Sequence, residues 1–301
     1  MGYRIIYVEK SEYLRLYLDN LKVENTDKTN ISFPISDIQI LVIDNYKSTL
    51  SIPLINKLTE YNVCTVICGI DHLPKSYILP TNGNFAMSGN LFKQINWTQE
   101  KKDYMHAEIV KHKIANQIEI LKENDRGYGV TEKLYDYMDS VIPGDQTNRE
   151  GLAAKIYFRS LFGPDFVRFN EDVVNAGLNY GYSIFRSLIT SIIVAKGYIP
   201  NLGLFHKGKQ NMFNLSDDII EVFRPIVDNY VYNNMTEDIL FKQIHKDELI
   251  ELTNNKVMID ERKQTIANAI GLYLDSIFKF MDNQEEANIL FPDPIIYPND
   301  L

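Results

Sequence analysis

The spacing of apolar residues changes character about a third of the way along the chain. Up to about residue 80, apolar residues alternate with polar ones or form short β-branched runs, as in RIIYVE, YLRLYLDN, VCTVICG and KSYILPT. A period of two is typical of half-buried strands. In YLRLYLDN, Leu14, Leu16 and Leu18 would share one face, and Asp19-Asn20 is a turn signal that returns the chain into LKVEN. This region therefore predicts a β-rich domain.

Two further features belong to this β-rich region. The segment ISFPISDIQILVIDN predicts another strand pair, broken at Pro34. Between it and VCTVICG, Ser51 suits the N-cap of a helix and Pro53 its first turn, so LINKLTEYN predicts one helix.

From Thr98 onward the apolar period becomes 3.6 residues. Val110, Ile114, Ile118 and Leu121 form a stripe on a helix that Thr98 would cap and that would end near Asn124. His106 and His112 lie six apart on it and face different directions, so they cannot share a metal, and we expect both to be solvated or locally hydrogen-bonded. Further helices are predicted at about 130–140, 149–161, 173–196, 217–232, 246–255 and 261–282.

The predicted fold class is α+β, with a small N-terminal β-rich domain before a larger all-helical one. We assign residues 1–81 to the first domain, 82–97 to a linker and 98–301 to the second. The composition of the linker predicts a surface loop. Its apolar residues Phe85, Met87, Leu91 and Phe92 predict that the loop packs against another surface, which could be that of a partner subunit. The proline-containing tail NILFPDPIIYPNDL predicts an extended, mobile segment.

Composition narrows the class of protein. The 301 residues are 45% hydrophobic and 24% charged, which is ordinary for a globular protein. No apolar run approaches the length needed to span a bilayer, and MGYRIIYVEK lacks the apolar region of a signal peptide, so a cytoplasmic protein with no membrane partner is expected. The net charge of −9 means that any DNA path must be a local basic groove.

The two cysteines do not point to a disulfide or a metal site. Cys64 and Cys68 lie on the same face of one predicted strand but too far apart for a comfortable disulfide. His72 alone does not complete a zinc site, so two buried, reduced thiols are expected.

The stretch from Gly197 to Asp228 carries the candidate chemistry. His206 lies in a basic turn between Gly203 and Gly208, and Asp218 and Glu221 follow it one helical turn apart. A histidine and carboxylates beside a basic glycine-containing turn suit a hard divalent metal that faces a phosphate. Glu150, in NREGLAAKIYF, would be the third corner of the site. Each of these residues taken singly has an ordinary structural explanation, and spacing alone goes no further.

Four segments in order resemble the CRISPR-associated integrase family, which captures and inserts new spacers. They are REGLAAKIYF around Glu150, DVVNAGLNYGYSIFRS from Asp172, GYIPNLGLFHKGK around His206 and FNLSDDIIEVFRPIVD around Glu221. The resemblance covers the whole chain. The chain length and the sequences of the segments NYGYSIF and DIIEVFRP are most similar to those of members from type II systems.

The resemblance implies that Glu150, His206 and Glu221 are the metal ligands and catalytic residues of a DNA integrase and endonuclease. The last position is Asp in many members and Glu here, which keeps the ligand type. Two carboxylates and one imidazole suit Mg²⁺ or Mn²⁺, and the cation would relieve the repulsion between the acids. A 3′-hydroxyl of a captured fragment would attack a phosphodiester in the CRISPR array. The residues expected to support the site are Asp218, Asn175, Asn179, Tyr180 and Tyr182.

The resemblance also implies DNA contacts and partners. The basic residues expected to hold phosphates are Lys207, Lys209 and Arg224, and more weakly Lys155, Arg159, Arg168 and Arg186. The implied partners are a double-stranded DNA fragment with 3′ ends, CRISPR repeat DNA, a second copy of the chain bound through the N-terminal domain, and a small dimeric adaptor flanked by two such dimers. In type II systems a ring-shaped DNA-end-binding protein and the RNA-guided effector nuclease take part too.

Two other classes of function compete with this one. A non-catalytic DNA-binding scaffold of the same fold would have no physical reason to hold two carboxylates and a histidine together. An unrelated helical metallohydrolase acting on a small phosphate ester would need a closed pocket and would work without DNA.

Overall fold

The computed structural model describes residues 4–25, 30–70, 74–79, 86–283 and 288–297. It divides into two compact units, one of residues Met1–Ile95 with Ser187–Ile199 and the other of residues Asn96–Arg186 with Pro200–Leu301. The predicted boundary at residues 81 and 82 lies outside the described residues, as do His72 and Phe85.

The N-terminal part contains two four-stranded sheets. The first has the order β1-β5-β7-β8, in which β1, β5 and β7 run parallel and β8 is antiparallel, and the second has the order β4-β3-β2-β6. A helix, α1 (Ile52–Glu60), precedes β7 as predicted. The strands are β1 (Arg4–Val8), β2 (Ser11–Tyr17), β3 (Asn20–Asn25), β4 (Asn30–Pro34), β5 (Ile38–Ile43), β6 (Thr49–Leu50), β7 (Cys64–Cys68) and β8 (Pro74–Ile78).

Two details of the strand prediction are wrong. Leu18 does not share a face with Leu14 and Leu16, because it forms the β2–β3 turn with Asp19, where both residues have positive φ (46° and 57°). The segments on either side of Pro34 are not a pair, because a 3₁₀ turn at Ile35–Asp37 carries the chain from β4 into β5 of the other sheet. Cys64 and Cys68 are buried and reduced, as expected.

The α+β fold class is confirmed, since the rest of the chain is mostly helical. Thr98 caps the long third helix, and its predicted apolar stripe is buried. The helices are α2 (Ala86–Ile95), α3 (Gln99–Glu123), α4 (Thr131–Asp139), α5 (Arg149–Phe162), α6 (Val173–Ala195), α7 (Asn214–Ile219), α8 (Arg224–Met235), α9 (Gln243–Glu251) and α10 (Ile266–Met281).

The helical part departs from the prediction at two places. An antiparallel hairpin of β9 (Lys256–Ile259) and β10 (Arg262–Thr265) precedes α10, so the part is not all-helical and α10 begins later than predicted. The predicted helix 217–232 is divided into α7 and α8 by a 3₁₀ turn at Ile220–Val222, just before Pro225, which suits a first helical turn but not a helix interior.

The segment expected to be a surface loop contains helix α2. Its side chains bond within the same unit, because Asn90 Nδ2 donates to the Lys196 carbonyl at 2.9 Å and Gln94 Nε2 donates to the Ile199 carbonyl at 2.8 Å. Asn90 and Gln94 therefore hold this helix to its own chain, while Met87 and Phe92 are exposed.

The described part of the tail is extended, as predicted, and it packs against the rest of the chain. The Phe291 ring stacks on His112 with centroids 3.5 Å apart, the Asp293 amide donates to the Met258 carbonyl, and Tyr297 forms an antiparallel bridge with Lys256. His112, expected to be solvated or hydrogen-bonded, is thus half-buried under this strap (residues 288–297).

Candidate active site

The N-terminus of α5 fixes the position of Glu150. The Asp145 carboxylate accepts the backbone amides of Arg149 (2.8 Å) and Glu150 (3.0 Å), and the Asn148 side chain accepts the amide of Gly151 (3.3 Å). These side chains satisfy amides that have no partner within the helix. Glu150 therefore projects from a rigid first helical turn.

Asp218 organises the loop that carries His206. This carboxylate is 2% exposed and accepts the backbone amides of Leu204 (2.6 Å), Phe205 (3.1 Å) and His206 (3.1 Å). Gly203 completes the turn, because a Cβ there would lie 2.6 Å from the His206 carbonyl oxygen and 2.7 Å from Asp218 Oδ2. Only glycine fits so close an approach.

The same carboxylate orients the imidazole. His206 Nδ1 lies 2.7 Å from Asp218 Oδ1, so in the neutral ring Nδ1 carries the proton and Nε2 has the lone pair. The hydrogen bond to Asp218 raises the pKa of His206 despite partial burial. The side chain is 44% exposed, and Nε2 has no hydrogen-bond partner among the residues that the structure describes. Asp218 thus fixes both the backbone of the loop and the orientation of the His206 ring.

Glu150 and Glu221 (the carboxylate pair) converge on one ammonium group. Lys113 Nζ lies 2.6 Å from Glu150 Oε1 and 2.5 Å from Glu221 Oε2. Arg224 Nε donates to the other oxygen of Glu221 at 2.9 Å. Burial alone would raise the pKa of Glu221, but Arg224 and Lys113 hold it at about 2. Glu221 is therefore ionised at neutral pH, and it shares one cation with Glu150.

The His206 loop lies beside this pair. Glu221 is among the charges that raise the pKa of His206. His106 stacks flat on Phe205 with ring centroids 3.9 Å apart. It is 5% exposed, which corrects the expectation that it is solvated; burial lowers its pKa, and Glu150 and Asp218 act against that shift.

The three predicted ligands nevertheless do not form a ready metal site. Across the described residues, no group of three His, Cys, Asp or Glu side chains has a geometry that could hold a metal ion. The carboxylate pair is brought together, but its contacts are with Lys113 rather than with His206.

A second layer of side chains holds Glu221. The Arg224 guanidinium lies over the Tyr182 ring at 4.4 Å, and the Tyr182 hydroxyl donates to the buried Asp228 carboxylate. Arg224, predicted to contact DNA, is thus engaged with Glu221 and Tyr182, and its side chain is 27% exposed. Burial raises the pKa of Asp228 to about 6, against the effect of the Tyr182 hydrogen bond.

Replacing Asp228 by asparagine should change how stability depends on pH. With its pKa raised from 3.8 to about 6, the Asp228 contribution to folding is fully present below about pH 4 and is lost as pH rises through 6. Asp228→Asn does not titrate, so the variant should gain roughly 2–3 kcal/mol relative to wild type between pH 4 and pH 8. Urea unfolding at several pH values measures this difference, and a difference that stays constant with pH would show that Asp228 is already ionised when buried.

Other predicted supporting residues form a network of their own. The Arg168 guanidinium donates to Asn175 Oδ1 (3.0 Å) and Asn179 Oδ1 (2.8 Å) and lies 5.3 Å from the Tyr182 ring centre. Tyr180 packs beside Phe241. This network borders an open cleft of about 630 Å³, and it connects to Glu221 through Tyr182 and Arg224.

The remaining basic candidates differ in their surroundings. Lys155, Arg159, Lys207 and Lys209 are exposed, and Lys207 Nζ donates to Gln99 at 3.2 Å. Arg186 faces Asp217 at 3.6 Å. DNA contact by these residues stays a prediction.

Sequence reasoning missed Lys113, His106 and Asp145. A signal existed for the first two, since Lys113 follows His106 by seven residues and precedes Gln117 by four, which places a line of polar residues on one helix face. The side chains of His106, Lys113 and Gln117 on that face are all buried. Asp145 had no such signal, because its role depends on a turn with positive φ at Gly144 and Asp145 itself.

Comparison with known proteins identifies the family. The family model described as CRISPR associated protein Cas1 matches residues 5–271, so the chain belongs to the Cas1 family. The CRISPR-associated endonuclease Cas1 of Neisseria meningitidis serogroup C (strain 8013) is 28% identical over 296 residues, which cover 97% of each chain.

Solved structures share the fold. A chain of a partial Cas6-RT-Cas1–Cas2 complex has a TM-score of 0.78 at 17% identity and covers 98% of this chain and 100% of its own length. A casposase bound to integration product has a TM-score of 0.65 at 18% identity, with 95% and 97% covered. Within the described residues, no helix combines the length and apolar character that crossing a membrane requires.

Proposed function

We propose that this chain is a metal-dependent DNA integrase and endonuclease that inserts captured DNA fragments into a CRISPR array. The observation that carries the proposal is the convergence of Glu150 and Glu221 on one positive charge, beside an imidazole that Asp218 holds in a ligand-competent tautomer. A relative named an endonuclease and a fold neighbour bound to an integration product support the same class of reaction.

The donor set fits a hard divalent ion. One oxygen from each carboxylate already contacts a single cation, and His206 Nε2 has a lone pair that no described residue engages. Carboxylate oxygens with one imidazole suit Mg²⁺ or Mn²⁺. Glu150, Glu221 and His206 would hold the ion, once Lys113 yields its position between the acids.

The remaining residues prepare the site for phosphodiester chemistry. When bound, the ion would polarise a phosphodiester oxygen and stabilise charge on the departing 3′-oxygen. Arg224 keeps Glu221 in place through its other oxygen, and Asp218 holds the proton of the neutral His206 ring on Nδ1, which leaves Nε2 as the ligand atom. The 3′-hydroxyl of the DNA fragment forms the new bond to phosphorus as the bond to the departing 3′-oxygen breaks, without a covalent protein intermediate. With water in place of that hydroxyl, the same site would cut DNA.

The proposed partners follow from the family. We propose that the chain forms a homodimer, that two dimers flank a Cas2-type adaptor, and that this assembly binds CRISPR repeat DNA. Together the protein subunits would build a basic path for the DNA that the acidic monomer lacks. One fold neighbour was solved together with Cas2. The exposed Lys207 and Lys209 would add positive charge beside His206. In type II systems we extend the proposal to a ring-shaped DNA-end-binding protein and the RNA-guided effector nuclease.

A half-site integration assay combined with thermal melting tests the proposal. Wild type should join a 3′-hydroxyl fragment to repeat DNA in Mn²⁺ and not in EDTA, and Mn²⁺ should raise its melting temperature, since an ion at about 100 times its Kd adds about 2.7 kcal/mol. Glu150→Ala should lose both the joining and most of the shift, because it removes a ligand.

Glu132→Ala is the matched control, because Glu132 also lies in the first turn of a helix but is exposed. It should behave as wild type. Equal melting shifts in wild type and Glu150→Ala would mean that the ion binds elsewhere. DNA binding without joining in wild type would favour the scaffold, and hydrolysis of a small phosphate ester without DNA would favour the metallohydrolase.

A further inference from the structure

Lys113 is a buried lysine at the centre of the candidate site. It lies in the middle of α3, is 7% exposed, and directs its ammonium between the carboxylate pair. Lysine is almost never this buried unless it is paired. Here both partners are residues that the proposed function assigns to a metal, so the lysine and the ion need the same oxygens.

The two cations cannot use those oxygens together. The ammonium nitrogen lies 2.6 Å from Glu150 Oε1 and 2.5 Å from Glu221 Oε2. A divalent ion bound to the same oxygens at about 2.1–2.3 Å would stand almost on the nitrogen, where overlap and like-charge repulsion exclude both at once.

We propose that Lys113 is a built-in counterion that occupies the metal position, so that the ion binds only by displacing the ammonium. The proposal rests on the proposed function, because it takes Glu150 and Glu221 as metal ligands. It makes Lys113 a positioning residue with two effects. It keeps the carboxylate pair together without metal, and it weakens the binding of the metal to the free protein.

Other contacts hold the site without using the Lys113 ammonium. Arg224 continues to hold Glu221 through Oε1, the oxygen that Lys113 does not contact. Asn116, one turn further along α3, donates to the Val222 carbonyl at 2.8 Å and to the Pro292 carbonyl at 3.3 Å. The contact between α3 and the Glu221 turn therefore does not depend on the ammonium, and the flexible stem of a lysine can swing aside.

The test is Mn²⁺ binding to Lys113→Met, measured by electron paramagnetic resonance of the free ion and by melting temperature in EDTA and in Mn²⁺. Methionine has a similar length and no charge. We expect the variant to bind Mn²⁺ roughly tenfold more tightly or better, since no cation has to be displaced. In EDTA it should melt below wild type, because the carboxylate pair is left uncompensated, and its rise in melting temperature with Mn²⁺ should be larger.

Lys111→Met is the matched control. Lys111 is on the same helix, but it pairs with Glu108 at 2.8 Å instead of the carboxylate pair. Its Mn²⁺ affinity and its response to EDTA should equal those of wild type.

A double variant covers the case in which Lys113→Met does not fold in EDTA. Adding Glu150→Gln to Lys113→Met removes one of the two carboxylate charges that repel each other. The double variant should therefore recover most of the melting temperature that Lys113→Met loses in EDTA. Failure to recover would mean that the lysine does not act as a counterion, which overturns the proposal.

The outcomes separate this proposal from the proposed function. If Lys113→Met binds Mn²⁺ no more tightly than wild type while Glu150→Ala abolishes binding, the metal site stands and the role of Lys113 is wrong. If Glu150→Ala binds Mn²⁺ as well as wild type, the metal assignment itself falls, and the Lys113 proposal falls with it.

Discussion

Replacing His206 by alanine is expected to abolish strand transfer while leaving binding of the DNA fragment largely intact. The substitution removes the only nitrogen donor of the proposed site, and loss of one of three protein ligands should lower the rate by roughly three orders of magnitude or more. The imidazole bonds to the Asp218 side chain, whereas the loop is held by three backbone amides that donate to the same carboxylate, so the loop keeps these hydrogen bonds when the ring is removed. A half-site integration assay in Mn²⁺ measures the rate, and a gel-shift titration measures fragment binding.

His245→Ala is the control for the His206 experiment. His245 is buried and contributes to the cap of α9, so its loss should lower the melting temperature without a comparable loss of strand transfer. Strand transfer by His206→Ala at the wild-type rate would remove His206 from the site. Loss of fragment binding together with activity would mean instead that the loop had collapsed.

Asp218→Ala is expected to lose both stability and activity. The change leaves three backbone amides of the His206 loop without their acceptor, and one of them, at Leu204, is buried. Unsatisfied buried amides cost about 1–3 kcal/mol each, so we expect a loss of about 3–5 kcal/mol in the free energy of unfolding, with partial relief from water. Strand transfer should fall at least 100-fold, because the imidazole loses its tautomer and its orientation.

Urea unfolding and the integration assay on the same preparations test this prediction. Asp139→Ala is the control, because Asp139 is an exposed residue at the end of α4, and it should change stability by less than about 0.5 kcal/mol. An Asp218→Ala protein with unchanged stability would contradict the described hydrogen bonds. A variant that is as stable as wild type but inactive would mean that Asp218 acts in the reaction and not in folding.

The helix and strand patterns could be predicted where local periodicity decides the structure. The stripe of Val110, Ile114, Ile118 and Leu121 is fully buried on α3, and α5 begins at the predicted Arg149. Apolar periodicity alone did not reveal where a helix is interrupted. The break at Ile220–Val222 falls just before Pro225, and this turn presents Glu221 beside α3.

The candidate site could be predicted from the sequence only where its residues lie close together along the chain. His206 and Asp218 lie 12 residues apart in one such segment, and the structure places His206 Nδ1 2.7 Å from Asp218 Oδ1. The contact of Lys113 with Glu150 and Glu221 spans separations of 37 and 108 residues, which no spacing rule reaches. The tail posed the same problem, because Phe291 packs on His112 although its sequence reads as a mobile segment.

The most direct measurement is a crystal structure grown with Mn²⁺, with the ion located by its anomalous scattering. Our account predicts one peak about 2.0–2.3 Å from an oxygen of Glu150, an oxygen of Glu221 and Nε2 of His206, with the Lys113 ammonium withdrawn from between the acids. A peak elsewhere, or no peak while Lys113 still bridges Glu150 and Glu221 under saturating Mn²⁺, would contradict it.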